Sequence, residues 1–254
     1  MGRRTIMSER ILITGANGQL GNCLRDSLKA YTDLTVYYTD VDSLDITSQE
    51  AVNMWLQQQP VDYIINCAAY TAVDKAEEDI KICRLINTKA VEIIGKAATE
   101  IQAKVIHIST DYVFDGTNHR PYTEEDATHP VSVYGQTKRD GEVALLHAQP
   151  DSMVIRTSWL YSAYGNNFVK TMIRLGEERE EIRVVADQIG TPTYAADLAG
   201  IIVEIITKKL FMPGIYHFSN EGVCSWYDFA REIFRLKGLH RDVIPVASEK
   251  IFVV

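Results

Sequence analysis

The sequence has 254 residues, of which 46% are apolar and 24% are charged, and its formal net charge is −8. Such a chain can bury one sizeable core or two closely joined lobes. The acidic balance argues against nucleic-acid binding, and no apolar run approaches the roughly 20 residues of a membrane span. Polar residues follow the Gly2-Arg3-Arg4 start, where an export signal has an apolar core, so a cytoplasmic protein is expected.

The first predicted unit is a strand, a glycine-rich turn and a helix. An apolar run, Ile11 to Thr14, precedes Gly15, Gly18 and Gly21, and an amphipathic stretch continues to about Ala30. The first glycine permits a tight turn, the second lets the backbone approach a pyrophosphate, and the third lets the helix pack on the strand. The unit predicts a dinucleotide site, with a plain turn and helix cap as the alternative.

A second apolar run, 34–38, ends near Asp40, nineteen positions past Gly21. An acid at about this distance accepts hydrogen bonds from the adenine-ribose hydroxyls of NAD and repels the extra phosphate of NADP. We therefore predict that Asp40 is a ribose ligand. Asp42 and Asp45 lie close by, so a loop carboxylate is the alternative.

Further strands and helices alternate along the next hundred residues. This rhythm predicts an α/β fold of the Rossmann type, a doubly wound parallel sheet with helices on both faces. Small residues after the third strand would let a cofactor lie across it. The predicted strands are 61–65, 104–108 and 153–156, and the predicted helices are 48–59, 79–101 and 134–147.

Tyr134 and Lys138 stand four residues apart on one predicted helix, so their side chains would share a face. An ammonium beside a phenol favours the ionised phenol and lowers its pKa toward the working range, which suits a proton donor. Thr110, at the end of the fourth strand, could hold a carbonyl oxygen beside them. A solvated helix face is the usual alternative for such a pair, but the glycine turn in the same domain favours catalysis.

The chain resembles the extended short-chain dehydrogenase/reductase family, and within it the dTDP-4-dehydrorhamnose reductases. The matching segments cover nearly the whole chain in the family's order. They are Thr14 to Gly21, Asn66 to Glu77, Ser109 to Gly116, Tyr134-Gly-Gln-Thr-Lys138, Arg156 to Tyr161 and Asp187 to Tyr194.

The resemblance implies reduction of the C4 ketone of dTDP-4-dehydro-L-rhamnose with NADPH or NADH. It implies that Tyr134 donates the proton, that Lys138 positions the nicotinamide ribose and steadies the phenolate, and that Thr110 orients the sugar carbonyl. Beside Gly15 and Asp40, the implied cofactor residues are Asn17, Gly18, Gln19 and Leu20 at the pyrophosphate, and Ala68, Ala69 and Tyr70 at the nicotinamide half. The positions implied to face the nucleotide sugar are Thr71, Val73, Asp111, Tyr112 and Trp159, the last with ordinary core packing as its alternative.

Other functions within the superfamily differ in chemistry. A dehydratase of this family has an Asp-Glu pair where this chain has Asp111 and Tyr112, so elimination lacks its second carboxylate. A 4-epimerase would have the same tyrosine and lysine, so this function remains an alternative. A regulatory subunit that holds a dinucleotide without turning it over need not keep Thr110, Tyr134 and Lys138.

The strand and helix rhythm also predicts domain boundaries. Residues 1–158 and 192–220 are expected to form the dinucleotide-binding domain, and 159–191 with 221–254 a smaller sugar-nucleotide-binding lobe. The stretch Pro121 to Ser132 reads as an active-site loop. The family continues past Pro245 with a Pro- and Arg-containing segment and a final helix, whereas this sequence stops at Val254. A truncated product and an incomplete sequence both stay open, and either would bear on full activity and on the sugar-lobe contacts.

No metal site is predicted, because the six histidines show no ligand spacing and the four cysteines form no Cys-x-x-Cys pair. Free thiols are expected at Cys23, Cys67, Cys83 and Cys224. The expected partner is the nucleotide sugar rather than nucleic acid or a membrane, and monomer and homodimer stay open.

Overall fold

The computed structural model describes residues 9–248, so the ends of the predicted domains, at 1 and 254, lie outside it, as do residues 2–4 and most of the stretch after Pro245. The strands are β1 (Arg10–Thr14), β2 (Thr35–Thr39), β3 (Tyr63–Asn66), β4 (Lys104–Thr110), β5 (Met153–Thr157), β6 (Leu160–Tyr161), β7 (Glu181–Val185), β8 (Ile189–Gly190), β9 (Thr193–Tyr194), β10 (Gly214–His217), β11 (Cys224–Ser225) and β12 (Asp242–Val246).

The helices alternate with these strands. They are α1 (Gln19–Leu28), α2 (Gln49–Gln58), α3 (Ile80–Arg84), α4 (Ala90–Ile101), α5 (Val133–Ala148), α6 (Phe168–Glu178), α7 (Ala195–Thr207) and α8 (Trp226–Lys237). The stretch 79–101 was expected to be one plain helix. In the structure a π-helical segment, Leu85–Lys89, separates α3 from α4.

Six strands form the central sheet in the order β10-β5-β4-β3-β1-β2, and every neighbouring pair is parallel. Because the strands are parallel, their carboxyl ends meet at one edge, and the chain crosses back through helices on either face. The predicted doubly wound α/β fold is confirmed.

Each face of the sheet is covered by its own helices. On one face α1 and α7 bury an apolar cluster that includes Ile13, Leu24 and Ile202. On the other face α2, α4 and α5 pack on a second cluster that includes Ile64 and Val105. Consecutive strand residues point to opposite faces, so strands buried on both sides read as continuous apolar runs.

A third, smaller cluster lies outside the central sheet. Met172 of α6, Ile182 of β7 and Phe234 of α8 are buried together, and β7 pairs in parallel with β12. Ser225 and Asp228 form a capping box at the start of α8, which satisfies backbone N–H groups that the helix itself leaves unpaired.

The described residues carry neither a membrane-length apolar helix nor a cluster of three or more metal-ligating side chains. The four cysteines are free thiols, as expected.

Candidate active site

The glycine turn after β1 needs glycine for steric reasons. Gly15 has φ +64°, and a Cβ there would lie 2.6 Å from the backbone nitrogen of Ala68. A Cβ on Gly21 would lie 2.5 Å from the Cα of Ala16. Both positions therefore exclude a larger side chain, the first because the turn touches the segment after β3 and the second because α1 packs against the turn.

The start of α1 presents backbone amides rather than side chains. Gly18 is its N-cap and supplies no side-chain hydrogen bond. Leu20 is buried in the core, and the side chain of Gln19 accepts hydrogen bonds from Ser162 at 3.1 Å and Asn167 at 2.9 Å. A phosphate at this helix start would therefore be bound by main-chain N–H groups.

Asp40 stands at the rim of the same turn. Its carboxylate accepts hydrogen bonds at 2.9 Å from the backbone N–H groups of Asn17 and Val41. The predicted ribose ligand thus lies beside the predicted pyrophosphate residues. The backbone N–H of Asn17 donates to Asp40, a contact that the sequence pattern does not predict.

The helix that carries Tyr134 and Lys138 approaches its neighbours closely because it contains two glycines. A Cβ on Gly135 would lie 2.2 Å from the carbonyl oxygen of Tyr112, and one on Gly141 would lie 2.1 Å from that of Asn87. α5 begins at a side-chain cap from Ser132, just after the predicted loop 121–132. This close packing buries both Tyr134 and Lys138, so the solvated-face alternative is wrong.

Burial dominates the chemistry of Tyr134. Its ring meets that of Tyr112 edge to face, with centroids 5.5 Å apart. Burial raises the pKa of the Tyr134 phenol above its ordinary value, and the Thr110 side chain acts in the opposite direction. The expectation that the neighbouring ammonium lowers this pKa is wrong for this arrangement, because Lys138 points to a different partner. The phenol is a protonated group and therefore suited to donate.

Lys138 is 2% exposed, and its Nζ donates a hydrogen bond of 2.6 Å to the carbonyl oxygen of Ile108. Burial lowers the pKa of Lys138 to about 8, and the carboxylate of Glu142 partly opposes this shift. Glu142 is itself fully buried and paired with Arg156 at 2.7 Å. The lysine is thus held in a dry site where its charge is costly.

Thr110 ends β4 and organises the next turn. Its hydroxyl donates to the Asp111 carboxylate at 3.0 Å and accepts from the backbone N–H of Tyr112 at 3.2 Å. Burial raises the pKa of Asp111 to about 6, with the Thr110 hydrogen bond opposing it. Thr110, Asp111, Tyr112 and Tyr134 therefore meet at the carboxyl edge of the sheet, where parallel α/β folds bind ligands.

Sequence reasoning missed Asn87, which holds the segment after β3 in place. The residue lies in the π-helical segment and is buried. Its Oδ1 accepts from the backbone N–H of Tyr70 at 2.8 Å, and its Nδ2 donates to the Tyr70 carbonyl at 3.1 Å and to Thr137 at 3.3 Å. A lone asparagine on the buried face of an otherwise apolar helix was the available signal. π-helical turns are frequent at functional sites.

The structure gathers some of the residues implied to face the nicotinamide or the sugar, but not all. Tyr70, Val73 and Tyr112 pack around Tyr134. Ala68 and Ala69 are half-buried in the segment before Tyr70, and Thr71 is exposed just after it.

Trp159 lies in a different group of aromatic side chains. Its indole stacks on that of Trp226 with ring centroids 3.5 Å apart. A Cβ on Gly190 would lie 2.5 Å from the ring of Trp159, whose backbone has φ +46°. This conformation is costly for a bulky residue, so the surrounding packing must hold the ring in place. One of its faces is already covered by Trp226.

Comparisons with known proteins identify the family of this chain. The family model described as the RmlD substrate binding domain matches residues 9–253. The dTDP-4-dehydrorhamnose reductase of Aggregatibacter actinomycetemcomitans is 44% identical over 229 residues, which are 89% of this chain and 78% of that protein. A dTDP-4-keto-6-deoxy-D-glucose reductase of Streptomyces niveus is 39% identical over 247 residues, covering 96% of this chain and 85% of that protein.

The crystal structure of the Bacillus anthracis dTDP-4-dehydrorhamnose reductase in complex with NADP superposes with a TM-score of 0.92. It is 45% identical, and the alignment covers 96% of this chain and 86% of that one. The family model, the sequence similarity and the shared fold show that the chain belongs to the RmlD family of dTDP-4-dehydrorhamnose reductases.

Proposed function

We propose that this protein reduces the C4 ketone of dTDP-4-dehydro-L-rhamnose to an alcohol with NADPH or NADH. The observation that carries the proposal is the burial of Tyr134 beside Thr110 at the carboxyl edge of the parallel sheet, with Lys138 buried one turn along the same helix. The similar protein from Bacillus anthracis is a reductase with NADP bound, which supports the same cofactor class here.

The residues around the glycine turn fit a dinucleotide. The start of α1 carries no capping side chain, which suits N–H groups that bind a pyrophosphate, and the Asp40 carboxylate beside Asn17 would accept a hydrogen bond from a ribose hydroxyl. When bound, the reduced nicotinamide supplies the hydride. Ala68 and Tyr70 would lie along the nicotinamide half, held in place by Asn87.

The side chains of Tyr134 and Lys138 would carry out the proton transfer that the reduction requires. As hydride reaches C4 of the sugar, negative charge develops on the former carbonyl oxygen, and the Tyr134 phenol gives that oxygen its proton. The phenol is neutral before the reaction because burial raises its pKa. Lys138 as an ammonium would stabilise the resulting phenolate, so both residues act in the transition state more than in ground-state binding.

We further propose that the smaller lobe, residues 159–191 and 221–254, binds the nucleotide part of the substrate. Its own buried cluster makes it a separate packing unit beside the sheet. Trp159 leads from β5 into this lobe, and its half-buried indole, stacked on Trp226 and packed against Gly190, would contact a flat base with the part of the ring that these two residues leave exposed. Thr71, Val73, Asp111 and Tyr112 would contact the sugar.

One experiment tests the reaction directly. Purified protein is given either dTDP-4-dehydro-L-rhamnose or dTDP-4-keto-6-deoxy-D-glucose with each reduced cofactor, cofactor absorbance is followed, and the sugar product is identified. We expect turnover of dTDP-4-dehydro-L-rhamnose. Turnover of the gluco sugar alone would assign the activity of the Streptomyces niveus relative, and dinucleotide binding without turnover of either sugar would favour a regulatory subunit.

A cytoplasmic location and a homodimer belong to the same proposal. Both ligands are charged, water-soluble molecules, which suits a cytoplasmic enzyme. Cell fractionation and sedimentation velocity measure the two properties.

A further inference from the structure

Three polar side chains lie side by side in the sheet, one on each of three neighbouring strands. Thr14 of β1 is in register with Asn66 of β3, and Asn66 is in register with His107 of β4. Each of the three side chains is at most 1% exposed. Buried polar groups cost free energy unless they bond to one another, so a row of three requires a connected network.

The network leads to the proposed catalytic lysine. The Thr14 hydroxyl donates to Asn66 Oδ1 at 2.7 Å, and Asn66 Nδ2 lies 3.0 Å from His107 Nδ1. The other ring nitrogen, Nε2, lies 3.5 Å from Nζ of Lys138. An unbroken chain of buried polar groups thus joins the strand before the glycine turn to Lys138.

The hydrogen bonds fix the direction of this chain. The backbone N–H of Ala68 can only donate, and it lies 3.2 Å from Asn66 Oδ1, which identifies that atom as the oxygen. The amide nitrogen of Asn66 therefore faces His107, and Nδ1 must accept. Burial and the nearby Lys138 hold the pKa of His107 well below its ordinary value, so the ring is neutral and its proton is on Nε2.

The Nε2–H of His107 consequently points at Lys138. An ammonium has only donors, whereas an amine has a lone pair that can accept from Nε2–H. The other groups that act on the lysine charge are the carboxylate of Glu142 on the same helix and the thiols of Cys67, after β3, and Cys83, on α3. These three groups favour the ammonium, whereas the imidazole presents to the lysine an N–H donor that its bond to Asn66 holds in place.

Accepting the proposed role of Lys138 in reduction, we propose that His107 is a positioning residue whose Nε2–H, fixed by Asn66 and Thr14, favours the amine of Lys138 over its ammonium. Burial lowers the pKa of Lys138, and we expect this donor to add to that effect, so that the two together set an upper limit on the working pH. The ammonium that would steady the Tyr134 phenolate is lost near pH 8. Without the imidazole donor, the ammonium persists to higher pH.

The first test reads the tautomer without turnover. Nitrogen-15 NMR of labelled histidines distinguishes protonated from bare ring nitrogens, and the His107 signals are those that disappear in His107→Gln. We expect Nε2 protonated and Nδ1 bare from about pH 6 to about pH 8. A proton on Nδ1, or titration to the imidazolium in this range, overturns the inference.

The second test uses the alkaline limb of the kcat/KM profile. Gln at 107 can accept from Asn66 and donate to Lys138, so His107→Gln should keep the wild-type limb. His107→Leu removes the donor and should move the limb up by roughly one pH unit. The inference is overturned if the alkaline limb of His107→Leu stays in place or moves to lower pH. It is also overturned if the limb of His107→Gln moves up together with that of His107→Leu.

A matched control is Ser152→Ala. The Ser152 hydroxyl is buried just before β5, at the other edge of the sheet, and has no hydrogen-bond partner in the part of the chain that the structure describes. The alkaline limb of the Ser152→Ala kcat/KM profile should match that of the wild type. A shift as large as that of His107→Leu would mean that any change to the buried sheet moves the limb, and it would overturn the inference. A wild type without reductase activity would instead overturn the proposed function, and the NMR result would still decide the tautomer.

Discussion

The two faces of the central sheet are equally well buried but differ in chemistry. The cluster under α1 and α7 consists of apolar side chains, among them Ile13, Leu198 and Ile202. On the face under α4 and α5, the strands change from apolar to polar at their carboxyl ends, where Asn66 and His107 lie. The comparison shows that the face under α1 and α7 is apolar throughout its cluster, whereas the other face adds to its own apolar cluster a row of polar groups beside Lys138, each of which must find a partner.

The largest effect is expected on the apolar face. Leu198→Ala removes a side chain that is fully buried between α7 and the sheet, and we expect a loss of about 2–5 kcal/mol in the free energy of unfolding. Ile201→Ala, on the same helix but 40% exposed, is the control and should cost far less. Denaturant unfolding measures both, and kcat of the folded fraction should match the wild type. A large loss of kcat in folded Leu198→Ala would break the division between the faces.

Tyr134→Phe should lower the reaction rate and leave the stability of the fold nearly unchanged, the reverse of what we expect for Leu198→Ala. It removes the transferable proton and leaves the ring, so we expect a rate loss of roughly 100-fold or more, equivalent to about 2.7 kcal/mol, with the free energy of unfolding and cofactor affinity little changed. Tyr63→Phe is the matched control, because Tyr63 is buried in the cluster of the apolar face. Near-normal turnover by the Tyr134 variant would remove the residue from catalysis.

Trp159→Ala extends the comparison to the smaller lobe. We expect dTDP binding to weaken by roughly 1–3 kcal/mol, the range for an aromatic ring stacked on a base, while NADPH binding stays nearly constant. Isothermal titration of both ligands measures this, with Trp226→Phe as a control that keeps an aromatic ring behind Trp159. Equal losses for the two ligands would identify Trp159 as a packing residue.

The smallest effect is expected at Asp40. Replacing it with alanine removes a carboxylate from the turn and should shift the ratio of rates toward NADPH by up to about tenfold. Asp42→Ala, two residues away and exposed, controls for a general change in charge. Steady-state rates with both cofactors give the ratio, and an unchanged ratio would remove Asp40 from the cofactor site.

The sequence was sufficient for the fold because its signals are local. Apolar runs, glycine spacing and helix periodicity predicted the parallel sheet and placed α2 and α5 within one residue at each end. The π-helical segment was missed because one widened turn hardly changes the apolar pattern. Spacing also brought Tyr134 and Lys138 to one face but could not show that Lys138 turns to the Ile108 carbonyl, since that depends on how β4 packs under α5.

The hydrogen bonds of Gln19 have a thermodynamic consequence. This residue begins the helix whose amides face the proposed pyrophosphate site, yet its side chain is held by Ser162 and Asn167, which lead into α6. A dinucleotide that displaces the start of α1 must therefore displace those residues as well. Since Ser162 and Asn167 belong to the lobe proposed to bind the nucleotide, any coupling through Gln19 would be reciprocal: the cofactor would change the affinity for the sugar nucleotide by the same factor as the sugar nucleotide changes the affinity for the cofactor.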